Sequence, residues 1–115
     1  MGLPQDFDFS RQNCQILVEV GGGGGRGVEA ALKHGLQAIF CIEAKHAAAL
    51  DVALRHADNH KVTVIHARAE KGLKEALEEI PPGIPVLFWL DSEATRAWLA
   101  GNRELKGDTV LVENA

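Results

Sequence analysis

The sequence predicts an α/β protein: a three-layer sandwich around a mainly parallel five-stranded sheet, with strand order 3-2-1-4-5. Three observations carry this. From Gln15 onward, β-rich runs alternate with helix-patterned segments. The connections between successive runs are long enough for a helical crossover, which parallel pairing requires and which is right-handed. The fourth run, Pro85–Leu90 (PVLFWL), is apolar without interruption, the pattern of a strand covered on both faces.

Taken in order, Gln15–Val20 (QILVEV) is a short β-rich run that ends in five consecutive glycines, Gly21 to Gly25. Arg26–His34 follows as a helix, with Val28, Ala31 and Leu32 on its apolar side and Gly35 placed to terminate it. Gln37–Glu43 (QAIFCIE) is the second strand, and Lys45–Ala57 is an alanine- and leucine-rich helix closed by turn residues. Lys61–His66 (KVTVIH) reads as a third strand by its β-branched content. Leu73, Ala76, Leu77 and Ile80 recur at helical spacing, so Glu70–Glu79 is an amphipathic helix that Pro81, Pro82 and Gly83 stop. Ser92–Ala100 forms a last helix with Ser92 as N-cap and Gly101 beyond its end, its apolar stripe read as Ala94, Ala97 and Trp98. Thr109–Glu113 (TVLVE) is the fifth strand. Residues 1–14 lack periodicity and read as an arm or cap; residues 15–115 read as one Rossmann-like domain.

Composition bounds the function. A chain of 115 residues fits one domain. The formal charge of −4 comes with no basic run, so nothing indicates a nucleic acid or an anionic membrane as partner. No apolar stretch is long enough to span a bilayer. The segment MGLPQDFDFS lacks the pattern of a signal peptide, so a cytoplasmic location is expected. Cys14 and Cys41 are widely separated and read as small hydrophobes rather than as a disulfide. His56 and His60 are four apart, but Ala-Asp-Asn between them breaks the helix that would align them, so no metal is expected.

The glycine run carries the chemical information. In a parallel sheet of this kind, ligands bind beyond the C-terminal ends of the strands, where the first strand turns into the first helix. A glycine there admits a positive φ and a close backbone approach to the ligand. Gly22, Gly24 and Gly27 fit the dinucleotide spacing, with Glu43 a further 21 residues on from Gly22 as a ribose-binding acid. Glu19, however, would stand against a pyrophosphate and repel it. A ligand with a cationic end suits that carboxylate better, with backbone N–H groups at the loop and helix start taking a ligand carboxylate.

The segments VEVGGGGGRGVEAAL, IFCIEA, VTVIHA and PVLFWLD, in that order, resemble the class I S-adenosylmethionine-dependent methyltransferases. The likeness is nearest to small bacterial members whose fourth strand ends in FWLD. It spans about Ile16 to Asp91 and, more loosely, the last strand. It implies that Glu19 and Gly21, Gly22, Gly23, Gly24 and Gly25 hold the methionine portion of the cofactor. It also implies that Glu43, with Ala44 beside it, takes the ribose hydroxyls, that Ala67 and Arg68 stand at the adenine, and that Asp91 borders the cofactor.

The chain departs from that pattern in three places. Arg68 stands where the family usually has an acid, and an arginine accepts no hydrogen bond from an adenine amino group. The His-Tyr pair that follows FWLD in those relatives is replaced by DSEATRAWLAGN. The fifth strand is followed by no further strands, whereas the family usually adds two more, so an acceptor is expected to be small, held by Met1–Cys14, or bound across a partner chain. A homodimer through Thr109–Glu113 or adjacent helices is one way to cover that edge, and the N-terminal arm is another. Asp91 is the candidate general base, with Glu93 a candidate partner carboxylate or, alternatively, a helix first-turn acid. Three functions follow: a methyltransferase using S-adenosylmethionine, a non-catalytic binding or assembly module derived from one, and an NAD-type dinucleotide-binding domain.

Overall fold

The computed structural model describes residues 7–11, 13–21 and 25–102, together with the backbone of 111–114. A 3-10 turn at Phe9–Arg11 precedes β1 (Ile16–Val20), α1 (Arg26–Lys33), β2 (Ala38–Glu43), α2 (His46–Arg55), β3 (Val62–His66), α3 (Ala69–Glu79), β4 (Val86–Leu90), α4 (Glu93–Asn102) and β5 (Leu111–Asn114). Every pairing is parallel. The strands β3-β2-β1-β4 form the body of the sheet, and the short β5 backbone pairs with the outer side of β4. Thr109 and Val110, expected to open the last strand, lie outside the described residues.

Alternation along the strands divides the interior in two. Ile16, Val18 and Val20 of β1 face α3 and α4, packing with Phe40, Ile42, Phe88, Leu73, Leu77 and Leu99. Leu17 faces α1 and α2, packing with Ile39, Cys41, Val28, Ala31 and Val52. On this second face the N-terminal segment covers Trp89 of β4: the Phe7 ring stands edge-on to the indole at 5.7 Å and to the ring of the buried Phe9 at 4.9 Å. Cys41 is buried in the same cluster, Cys14 is half-buried, and both are free thiols.

Helix ends follow local chemistry. After α1, the Gly35 N–H donates to Leu32 O at 3.1 Å and the Leu36 N–H to Ala31 O at 3.2 Å, with Gly35 at φ 76°, the paired bonds of a Schellman turn. At α4, Ser92 Oγ accepts the Thr95 N–H at 3.2 Å, a side-chain N-cap. That helix runs through Gly101 to Asn102 instead of ending before the glycine. Its buried residues are Thr95 and Leu99 with Trp98 half-buried beside them, while Ala94 and Ala97 are exposed. The inward face is therefore the 95, 98, 99 set, which has the i, i+3, i+4 geometry of a helix seated on a sheet. Among the described residues no helix is long and apolar enough to cross a membrane.

One glycine fixes how closely a helix approaches the sheet. Gly72 in α3 is buried against Ile42 of β2, and a Cβ added there would collide with the Ile42 side chain. A Gly72→Ala change should therefore destabilise the fold by about 1–2 kcal/mol, overpacking outweighing the better helix propensity of alanine. A Cβ at Gly101 meets nothing within 4 Å. Gly101→Ala should accordingly stabilise by up to about 1 kcal/mol. Paired urea unfolding curves of the two variants would check both signs.

Candidate functional site

The parallel register brings the C-terminal ends of β1, β2, β3 and β4 to one edge of the sheet, where a cleft of about 480 Å³ opens. Its walls include Gly21 after β1, Glu43 and Ala44 at the end of β2, Lys45 and Ala48 at the start of α2, Ala67 and Ala69 after β3, and Asp91 after β4. The order β3-β2-β1-β4 places it at the switch point, where β1 is followed on one side by β2 and on the other by β4.

Gly21 is the pivot of this edge. Its N–H donates to Ile42 O at 2.9 Å, which extends the pairing with β2 by one step, and its φ of 72° then turns the chain away from the sheet. A Cβ at this position would sit 3.0 Å from Asp91 Oδ2, so a side chain here would be strained and would crowd the carboxylate. Asp91 is exposed to the cleft, and its Oδ1 accepts the Thr95 hydroxyl at 3.1 Å. Glu43 is buried apart from a small surface facing the cleft, and its backbone oxygen accepts the Ala67 N–H at 3.1 Å, tying the ends of β2 and β3 together. His66 Nε2 lies 3.2 Å from Ala44 O, and the rings of His66 and His46 are 5.2 Å apart, bracing the turn that leads into α2.

The expected site residues thus divide. Gly21, Glu43, Ala44, Ala67 and Asp91 share one cleft. Glu19 is not in its wall. Its side chain is fully buried on the α1 side of the sheet, level with Cys41 and Trp89, and a Cβ on Gly27 would lie 2.7 Å from its Oε2. The carboxylate therefore lies under the first turn of α1, where the helix dipole favours negative charge, and Gly27 is the residue that leaves room for it. Gly25 is also turned elsewhere: it caps α1 at φ 75° and packs against Val52 and Arg55, with a built Cβ 2.8 Å from Arg55 Nη2. Arg55 in turn bridges Glu29 at 2.8 Å and Asp51 at 3.2 Å. Gly22, Gly23 and Gly24 lie outside the described residues.

Arg68 caps α3 in extended conformation and is exposed outside the cleft lining, so the wall on that side consists of its two alanine neighbours. Glu93 is the exposed first residue of α4 and does not line the cleft; the side chain joined to Asp91 is Thr95. Arg26 is exposed at the start of α1, outside the lining. Lys45, Ala48 and Ala69 were missed because helix starts carry no motif at those positions. Thr95 left a sequence signal, a hydroxyl three residues after an N-cap serine. His56 and His60 share the wall of a separate cavity of about 270 Å³ with Asn59, Val62 and Val64, and among the described residues no group of three or more ligating side chains gathers for a metal.

No family model matches the chain, and no curated protein matches its sequence. Its fold does match a solved structure from Pyrococcus horikoshii described as "a putative RNA methyltransferase", with a TM-score of 0.59 and 16% sequence identity, over 92% of this chain. The chain spans about half of that protein, 51% of its length. The likeness establishes a methyltransferase-like α/β fold.

The charges behind the cleft leave a mark on Cys41. Burial, reinforced by the negative charges of Glu19 and Glu43 and only partly opposed by Arg55, raises its thiol from an ordinary 9.0 to about 12. A thiol raised in the folded state contributes stability that is complete below pH 9 and is lost as pH climbs from there toward 12, because the unfolded thiol ionises first. Stability measured by urea unfolding should fall across that window in the parent chain. A Cys41→Ala variant, although less stable overall, should lose that part of the slope. Alkylation of Cys41 at pH 8 should likewise wait on unfolding.

Proposed function

We propose that the cleft binds S-adenosylmethionine and that the domain serves methyl transfer. The observation that carries the reading is the convergence of Gly21, Glu43 and Asp91: a bare backbone turn flanked by two carboxylates at the switch point of a parallel sheet. The volume falls in the range of small-molecule sites. Glu43 would hold the ribose, since one carboxylate accepts two hydroxyls at once and charge assistance strengthens both bonds. Ala67 and Ala69 bring only methyl groups to their side of the cleft, which would suit the face of a purine. The fold likeness supports the same ligand class.

A dinucleotide fits these walls poorly. Its pyrophosphate would lie against Gly21 and so beside Asp91 Oδ2. Like charges about 4 Å apart repel by roughly 4 kcal/mol at the effective dielectric of a partly dry surface site. S-adenosylmethionine brings no phosphate and presents a cationic end instead.

When bound, the cofactor supplies an activated methyl on a sulfonium, which leaves as a thioether when the acceptor bonds the carbon. What remains for the protein is placement of the acceptor within about 3 Å of that carbon. A general base is needed only where the acceptor must lose a proton, and Asp91, the exposed carboxylate of the cleft after β4, would face the cofactor's cationic end. A second reading, a binding module without turnover, is favoured by the position of Glu93 outside the cleft, which leaves the end of β4 with Asp91 and no second carboxylate from α4.

Isothermal titration with S-adenosylhomocysteine, run beside NAD, tests the proposal. The expected outcome is micromolar binding of the former and none of the latter. Glu43→Ala should weaken it by about 2–3 kcal/mol, roughly 30- to 150-fold, for loss of two charge-assisted bonds. Equal affinity for NAD, or a Glu43→Ala variant that binds unchanged, would overturn the reading. Turnover of S-adenosylmethionine on an acceptor by the parent chain separates the enzyme from the binding module, which would bind the cofactor without it.

A further inference from the structure

Between the end of β4 and the first turn of α4 three side chains form one directed chain of hydrogen bonds. A carboxylate only accepts, so the Thr95 hydroxyl, 3.1 Å from Asp91 Oδ1, must donate to it. Thr95 Oγ1, 2.9 Å from Ser92 Oγ, therefore accepts the Ser92 hydroxyl. Ser92 Oγ keeps a lone pair for the Thr95 N–H at 3.2 Å, the helix cap. Every donor in this chain has one direction available, and it ends on one oxygen of Asp91.

The other oxygen faces the turn. Asp91 Oδ2 is the atom nearest to where a Gly21 Cβ would stand, at 3.0 Å, and Gly21 places no side chain between it and the cleft. An exposed aspartate would otherwise sample several rotamers. Here the tether on Oδ1 comes from Thr95, which is itself 5% exposed and held in the core-facing row of α4.

We propose that Thr95 is a positioning residue: it fixes Asp91 so that Oδ2 stands at Gly21 as a counter-charge for the ammonium-bearing end of an amino-acid nucleoside ligand. This rests on the reading of the cleft as a site for S-adenosylmethionine, and it adds which group recognises the amino-acid end and what aims it. Ser92 belongs to the device through its hydroxyl, and its cap on α4 couples the start of that helix to the orientation of Asp91.

The test compares two ligands that share the nucleoside and differ at the tail. S-adenosylhomocysteine carries the ammonium and carboxylate; methylthioadenosine carries neither. Thr95→Val keeps the β-branched shape and the backbone N–H that Ser92 caps, and deletes the donor. Isothermal titration should show S-adenosylhomocysteine weakened by about tenfold in Thr95→Val, the scale of one hydrogen bond to a charged group. Methylthioadenosine should be unchanged. Thr95→Ser, which restores the donor, should return the first ligand to parental affinity, and Asp91→Asn should reproduce the Thr95→Val pattern at larger size. A Thr95→Val variant that binds S-adenosylhomocysteine like the parent, or that loses both ligands in equal proportion, would overturn the positioning role while leaving the cleft assignment standing. A parent chain that binds neither ligand would remove the cleft assignment and this role with it.

Discussion

The parallel pairing of β1 with a strand on each side is the constraint from which the site follows. With β2 and β4 both running alongside it, Ile16 lies level with Ala38 and Val86, and Glu19 with Cys41 and Trp89. All three strands therefore end at the same height, and the residues that follow them must meet. Had either neighbour run antiparallel, Asp91 or Glu43 would leave the sheet at the opposite edge from Gly21. The pairing also determines what the strands are made of, because a strand flanked on both sides and covered on both faces has no solvent-facing position. All five residues of β1 are buried, and so are all five of β4.

A carboxylate inside such a strand needs a local reason to be there. Glu19 shares its face with Leu17, so its side chain is delivered to the α1 layer and not to the strand's open end. The start of α1 answers it with a glycine at position 27 and the positive end of a helix. Gly25 serves the same junction from the other side, letting Val52 and Arg55 close on the helix start while Arg55 ties α2 to Glu29. Two glycines of this region thus work for the packing of α1 against α2 and β1, whereas Gly21 works at the cleft. One run of identical residues contains more than one job.

Much of this was legible in the chain. The alternation of runs gave β1 to β4 and their helices to within a residue or two at most ends, which is the ordinary play in where a helix or strand stops. Gly35, Ser92, Glu43 and Asp91 could be read because each sits at an end, where turn and cap chemistry is local. What could not be read depended on which layer a side chain enters. Period-two alternation puts Glu19 opposite Val18, but only the crossover direction decides which of those faces α1 covers. Glu93 looked like the partner of Asp91 because it is two residues away; a helix turns residues two apart to different sides and brings those four apart together, and Thr95 is four away. The stripe of α4 shifted for the same reason, since alanines fit any face and Leu99 fits only the inner one.

The sheet is also a partition. Its two apolar clusters have no residue in common, Phe88 and Leu73 belonging to one and Leu17 and Val28 to the other. Side chains that share no neighbours respond independently, so damage on the two sides should accumulate as a simple sum, while damage within one side should compound or compensate. The exception is the edge where both compartments surface together. There Val20 and Ile42 come from one, and Glu43, on the face of β2 that carries Cys41, from the other, and all three line the cleft. An occupant of the cleft would press on both at once, and so make the two interiors aware of each other.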